Sequence, residues 1–193
     1  MKRLLATLLT LTSINCFLFA QNPVNDFRGF AWGSPFTQVQ KNEKSKFVSN
    51  DKDDILLFQD VLAGADCDVI YQFNDNNKLV SGTYIFTKKY SNPQLYLKDY
   101  SNFKQLLTQK YGKPKSENEE WSSNTTPADK ENYGQAITDG NLSLNSVWMN
   151  DRTIIKITLV TFNQHPSLQI HYTAKSLDEL ENKEELKSAL PKL

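Results

Sequence analysis

The sequence is poor in the side chains on which most metal binding and catalysis depend. Its 193 residues include only two histidines, His165 and His171, and two cysteines, Cys16 and Cys67. These counts exclude a disulfide scaffold and leave too few histidine and cysteine ligands for a typical zinc site. The seven glycines form no phosphate loop, nucleophile elbow or dinucleotide fingerprint, so no local motif indicates an enzyme.

Net charge is also absent. Twenty-two basic residues balance 22 acidic ones, which gives no reason to expect nucleic acid or anionic lipid as the main partner. The composition is otherwise that of a globular protein, with 39% apolar residues and 11% aromatic ones. The length suits one core, or two small linked ones.

The N-terminus predicts export. Lys2 and Arg3 precede an apolar run over residues 4–20, which is too short and too rich in hydroxyl groups for a comfortable membrane span. Residues 1–20 are therefore predicted to be a signal peptide that is cleaved after Ala20. No second apolar run reaches the length of a membrane helix, so we expect a periplasmic or secreted protein without a transmembrane segment.

Cys16 offers an alternative in which the cysteine is acylated and the protein is an outer-membrane lipoprotein. The preceding residues, Ser13-Ile14-Asn15, lack the leucine and the small residue that a lipobox usually has at these places. Cleavage after Ala20 is favoured, and peripheral membrane attachment applies only if Cys16 is lipidated.

Cys67 would then be the single cysteine of the mature chain. It lies between Asp66 and Asp68, and two nearby carboxylates disfavour the thiolate that nucleophilic chemistry needs. We interpret Cys67 as a small, half-buried strand residue and not as a catalytic thiol.

The first half of the mature chain, residues 21–90, is predicted to be a helix followed by three strands. Ser34 is the expected N-cap and Pro35 the first helical position, and the polar run 41–46 is expected to carry the helix into solvent. Alternation over residues 55–59 and 69–73 indicates strands. Asn74-Asp75-Asn76-Asn77 then closes a hairpin with a strand over residues 79–86.

The second half, residues 91–175, repeats this order. Asn92-Pro93 and Gly112 bound a predicted helix, whose apolar stripe has helical spacing. That stripe is Tyr96, Tyr100, Phe103, Leu107 and Tyr111. A strand over residues 116–121, a polar mobile loop over 122–133 and a meander of strands over 142–149, 152–162 and 167–173 are predicted to follow.

A capping box, Ser176-Leu177-Asp178-Glu179, predicts a C-terminal helix or tail over residues 176–193. The whole order predicts an α+β fold. Antiparallel meanders are each preceded by a helix, and they form two similar halves with an extra C-terminal helix.

The opening segment Phe27-Arg28-Gly29-Phe30-Ala31-Trp32-Gly33-Ser34, followed by a helix carrying Val39, resembles the start of small secreted bacterial proteins of unassigned function. The order of helix and meander resembles the small modules of the outer-membrane assembly lipoprotein and β-lactamase-inhibitor protein type. The match in residues covers about positions 27–39. It implies a non-catalytic binding module of the cell envelope, and no functional residue is carried over from it.

Three groups of side chains are candidate sites by residue type. Pro166 is expected to break the strand parity that would place His165 and His171 on one face, which disfavours a shared metal site. The acidic runs Asp51, Asp53, Asp54 and Asn74, Asp75, Asn76 lack the spacing of a calcium loop and are interpreted as turns. Trp32 and Trp148 are predicted to lie in the core, whereas Trp121, beside the polar loop, is the tryptophan most expected to be exposed.

The sequence therefore predicts an exported, non-catalytic binding or adaptor module of the bacterial envelope, whose partner is a protein. No catalytic, cofactor-binding or metal-binding residue is assigned, no cofactor is implied, and the partner-binding residues are unknown. The alternative is a small secreted hydrolase whose site is assembled across the fold, with one of the two histidines as its base.

Overall fold

The computed structural model describes residues 25–51, 54–123, 125, 127 and 129–177. They form an eight-stranded antiparallel sheet and three α-helices, an α+β fold as predicted. The elements in chain order are α1 (Phe36–Asn42), β1 (Lys46–Asp51), β2 (Ile55–Leu62), β3 (Ala65–Phe73), β4 (Leu79–Phe86), α2 (Gln94–Tyr111), β5 (Ser116–Trp121), a 3₁₀ turn (Lys130–Asn132), α3 (Tyr133–Thr138), β6 (Leu142–Met149), β7 (Thr153–Phe162) and β8 (His165–Ala174).

The strands are ordered β1-β2-β3-β4-β8-β7-β6-β5 across the sheet. No helix among the described residues is long and apolar enough to cross a membrane. The predicted signal peptide and Cys16 lie outside the described residues, as does all but the first two residues of the predicted C-terminal helix.

The sheet contains one strand more than the sequence pattern predicts before α2. The hairpin of β3 and β4 is confirmed. It pairs in one register from Cys67 opposite Phe86 to Gln72 opposite Ser81, and the register then shifts by one residue, so that Phe73 lies opposite Leu79. The additional strand, β1, lies at the sheet edge beside β2. Its sequence, Lys-Phe-Val-Ser-Asn-Asp, has two adjacent apolar residues and no alternation, so periodicity gives no strand signal there.

The prediction for α1 was wrong at both ends. Pro35 takes the N-cap position without a side-chain cap bond, and the helix begins at Phe36. It ends at Asn42, so the polar run 41–46 does not extend the helix into solvent. Glu43 is extended, and its side chain turns inward to an arginine described below.

The helix α2 agrees with its predicted limits and stripe. The Asn92 carboxamide oxygen accepts the Gln94 N–H at 3.0 Å, and Gly112 follows the helix with a φ of +80°. The Gly112 carbonyl accepts the indole N–H of Trp148 at 2.9 Å, so the end of the helix is fixed to the sheet. The stripe residues Tyr96, Tyr100, Phe103 and Leu107 are buried.

The polar segment after β5 contains a short helix that the sequence pattern did not predict. In α3, Ala136 and Ile137 are buried, and the helix packs against α2 and the last three strands of the chain. Six residues are too few to show helical periodicity. Trp121 is half-buried because its ring packs edge-to-face against Tyr133, with centroids 5.4 Å apart.

The core lies on one face of the sheet. In β7, Ile155, Ile157 and Leu159 are fully buried, whereas the intervening Lys156 and Thr158 face the opposite side. The helices α1, α2 and α3 all lie on the buried side: Phe36 of α1 packs against Phe73, and α2 and α3 contact β6, β7 and β8. The tryptophans Trp32 and Trp148 are in the core, as predicted.

A strap formed by residues 25–33 crosses the same side of the sheet. Phe27 and Phe30 pair across a tight turn in which Arg28 and Gly29 have φ angles of +51° and +88°. The Phe27 ring contacts Tyr71, Tyr84 and Tyr172 edge-on or tilted, each with centroids 5.2 Å apart. It lies directly over Gly82, where any β-carbon would overlap the ring.

The strap is tied down at one end by a partly buried ion pair. Arg28 Nε lies 3.1 Å from Glu43, and its Nη2 lies 2.6 Å from both Asp60 and Ser45. Burial alone would raise the pKa of Glu43, but hydrogen bonds from Arg28, Tyr71 and Ser45 outweigh it and lower that pKa to about 2. The carboxylate therefore stays ionised and holds the guanidinium in place.

The other end of the strap is tied to the turn between β6 and β7. Asp26 pairs with Arg152 at 2.9 Å and accepts the backbone N–H of Trp32 at 2.8 Å. The Trp32 indole donates to the Thr153 hydroxyl at 2.9 Å. The strap thus links the β1–β2 end of the sheet to the β6–β7 turn.

The ion pair predicts how stability depends on pH. Because the Glu43 pKa is lower in the folded chain than its ordinary value of 4.5, its contribution to folding is complete above that value and is lost as pH falls toward 2. We expect denaturant midpoints to fall over this pH range in the wild type and to change less in Glu43→Gln. An equally steep fall in the variant would contradict the assignment.

The stripe on α2 predicts a large effect of one substitution. Phe103 is buried and its ring lies 4.2 Å from that of Phe86, so Phe103→Ala should cost about 3 to 5 kcal/mol in unfolding free energy. Leu95→Ala, at an exposed position on the same helix, is the control and should cost under about 1 kcal/mol. Similar losses in both variants would mean that the stripe does not anchor the helix.

Candidate functional site

The second face of the sheet is left uncovered by the helices and the strap. Every strand alternates, so the residues between the core positions point to this side. Aliphatic side chains of this face lie outside the core cluster and are half-buried or exposed. They are Ile55, Leu57, Ile70, Ile85, Val147, Met149, Ile154 and Val160. We call this surface the open face.

Rows of paired residues run across the open face. One row crosses all eight strands through pairs that are opposite in register. It is Lys46, Gln59, Asp68, Ile85, Gln169, Thr158, Asn145 and Asn118. Seven spacings of about 4.8 Å make the open face roughly 34 Å wide.

Polar side chains of the open face are bonded to one another. Asn145 accepts from Asn118 at 3.2 Å and donates to Glu120 at 3.0 Å. Ser81 donates to Gln72, and Gln169 donates to Ser167, both at 2.8 Å. These bonds fix the side chains before any partner arrives, while the aliphatic groups between them have no such contacts.

The open face carries an exposed cation on β7, the third strand from the β5 edge. Lys156 is exposed and lies between Val147 on β6 and His171 on β8. Burial and the Lys156 charge lower the pKa of His171, so the imidazole is neutral at neutral pH. Its Nδ1 lies 3.2 Å from the Thr83 hydroxyl. Among described strand residues of this face, the other charges lie on the edge strands β1 and β5 and on β3, the third strand from the β1 edge.

The two histidines do not form a joint site. The expectation that Pro166 breaks the strand parity was wrong, because β8 pairs with β7 without interruption from His165 to Ala174. Pro166 is tolerated because β4 pairs only with residues 169–173 of β8. The histidines share one face, but they lie six positions apart, about 20 Å along the strand.

The acidic runs give no cation site within the described chain. No group of three or more histidine, cysteine or acidic residues is close enough there to hold a metal ion. The Asn74 carboxamide oxygen accepts the backbone N–H groups of Asn76 and Lys78, which is the turn chemistry that was predicted. Asp53 lies outside the described residues, and nothing is described of the Asp51 side chain.

Cys67 lies on the covered side of β3 and is only 2% exposed. Its thiol lies 3.5 Å from the Asp60 carbonyl oxygen. Burial first, and then the Asp60 charge, raise the pKa of the thiol to about 11. This environment suppresses the thiolate and is that of a structural cysteine.

Slow alkylation of Cys67 follows from this burial. We expect reaction with iodoacetamide at pH 8 to be at least about a hundredfold slower in the native protein than in denaturant, because both access and thiolate are limited. Mass spectrometry of timed samples measures the rates. Comparable rates would show that the covered face opens readily.

The sequence did not identify the open face. One sequence feature could have indicated it. In β7, Ile154 and Val160 place apolar side chains on the face opposite the buried residues. Which face the helices cover depends on contacts between distant segments, and periodicity does not report them.

Comparison with protein-family models, with curated protein sequences and with solved structures finds no match for this chain. Any functional assignment therefore rests on the geometry of the open face and the covered face.

Proposed function

We propose that the protein is an exported, non-catalytic binding module of the bacterial cell envelope, and that its open face docks a protein partner. The observation that carries this proposal is the set of aliphatic side chains left outside the core on a sheet whose helices, among the residues that the structure describes, all lie on the other side. An antiparallel sheet commonly leaves one face in water, and the side chains of that face are then polar. The open face instead mixes polar and aliphatic side chains.

The dimensions of the open face support a protein and not a small molecule as its partner. A surface roughly 34 Å wide and about 20 Å along the strands offers about 700 Å². A standard protein interface buries about 800 Å² on each partner. Aliphatic groups separated by pre-bonded polar side chains match the composition of such interfaces.

Lys156 indicates the charge of the partner surface. An exposed ammonium group on β7, next to a neutral imidazole, favours a carboxylate on the part of the partner that lies over it. A partner that places aspartate or glutamate over Lys156 and apolar side chains over Val147 and Ile154 would complement the open face.

The strand order supports a further part of the proposal, that the chain consists of two similar halves. The strands that end each predicted half, β4 and β8, pair with each other at the sheet centre, and β1 and β5 form the two edges. In this arrangement each half contributes four strands to one continuous binding surface.

The hydrolase alternative has weaker support. Its general base would be His165 or His171, and among the described residues the ion pairs of the structure include neither histidine.

The proposal predicts that reversing the charge of Lys156 removes binding of the partner. The tagged protein and its Lys156→Glu variant would be expressed in cells of the source organism and cross-linked before purification. We expect retention of the partner to fall at least about tenfold in the variant, because two carboxylates would then face each other.

Lys98→Glu is the matched control, since Lys98 is an exposed lysine on α2, on the covered side. It should retain the partner at the wild-type level. Equal retention by wild type, Lys156→Glu and Lys98→Glu, or a loss confined to Lys98→Glu, would refute docking on the open face.

A further inference from the structure

A cavity of about 170 Å³ opens on the covered side, above the two central strands. Tyr84, Ile170 and Tyr172 form its floor, and Phe103 and Leu107 of α2 form one wall. It arises because α2 packs over β6, β7 and β8, whereas the strap packs over β3 and β4. Neither layer fills the space where they meet.

The interior of this cavity is mainly apolar. The Tyr84 hydroxyl accepts a hydrogen bond from Arg28 at 3.5 Å, and the Tyr172 hydroxyl is hydrogen-bonded to Tyr111. Among the described residues, no buried side-chain nitrogen or oxygen lacks a partner. A ligand group inside the cavity therefore needs no hydrogen-bonding atoms.

The volume of the cavity suits one six-membered aromatic ring. A protein cavity of about 150 Å³ lined by leucine, isoleucine and phenylalanine accommodates benzene. The present cavity is slightly larger and is lined by the same kinds of side chain together with two tyrosine rings. An unsubstituted six-membered aromatic ring fits it and can contact the tyrosines edge-on.

A single cation lies at the mouth. Lys110 is the one charged residue that lines the cavity, it is exposed, and its Nζ lies 5.0 Å from the centroid of the Tyr111 ring. Leu106, 45% exposed, forms the adjoining lip, and Ala63 lies in the β2–β3 turn on the other side. An anionic group that is attached to a ring inside the cavity and projects from the mouth would lie beside Lys110.

We infer that this cavity binds a free small aromatic carboxylate, with the aromatic ring in the cavity and the carboxylate, on a short aliphatic linker, beside Lys110. The inference rests on the covered side alone. It is independent of docking on the open face.

The probe is 3-phenylpropionate, titrated into the purified protein while methyl resonances of Leu107 and Ile170 are followed by NMR. We expect saturable shifts with a dissociation constant on the order of 1 mM or below, as suits a ligand of this size. The cationic analogue 3-phenylpropylamine has the same ring and should bind at least about tenfold more weakly. Absence of saturation at about 10 mM, or equal binding of the amine, would overturn the inference.

Two matched pairs of variants test whether the ligand contacts the residues at the mouth of the cavity. Lys110→Gln should weaken binding of 3-phenylpropionate about fivefold and leave the neutral 3-phenylpropanol unaffected, whereas Lys98→Gln should change neither. Leu106→Trp should block the cavity, whereas Leu95→Trp, at an exposed leucine of the same helix, should not. Tight binding in Leu106→Trp would place the ligand elsewhere.

Amide spectra of each variant establish that it is folded, so a loss of binding is not a loss of structure. A peptide with a C-terminal phenylalanine carries the same ring and carboxylate. If it binds more tightly than 3-phenylpropionate, the assignment to a free small molecule is wrong.

Discussion

The Arg28–Glu43 ion pair is the interaction on which the arrangement of the covered side depends. Arg28 adopts a φ of +51°, which is uncommon for a residue with a side chain, and its guanidinium reaches the connection between α1 and β1 as well as β2. It donates to Glu43, Ser45 and Asp60, so one side chain joins the strap to both segments. The pair therefore holds the strap in one position.

The strap has consequences beyond its own contacts. Phe27 requires glycine at position 82, and with the tyrosines of β3, β4 and β8 it closes the core over the sheet centre. Within the described part of the chain, the helices and the strap lie on one side of the sheet. The aliphatic side chains of the opposite side stay outside the core, most of them half-buried, and they form the surface that we propose for a partner.

Elements with strong local signals could be predicted from the sequence, and those that depend on distant partners could not. The caps and stripe of α2 and the Asn-rich turn before β4 are local features. The edge strand β1 and the short α3 have little periodicity, and their conformations are stabilised by neighbours far along the chain. The sequence pattern did not predict the ion pairs of Arg28, because Glu43 and Asp60 lie 15 and 32 residues away along the chain. The open face was likewise indicated only by apolar residues at strand positions that alternate with the buried ones.

The central claim is that the open face, and not the helix-covered side, contacts another protein. The most direct test places a photo-cross-linking amino acid at Thr158, in the middle of the open face, or at Gln105, exposed on α2, in cells of the source organism. The account predicts a discrete adduct of higher mass from position 158 and none from position 105. An adduct only from position 105, or none from either, would contradict it.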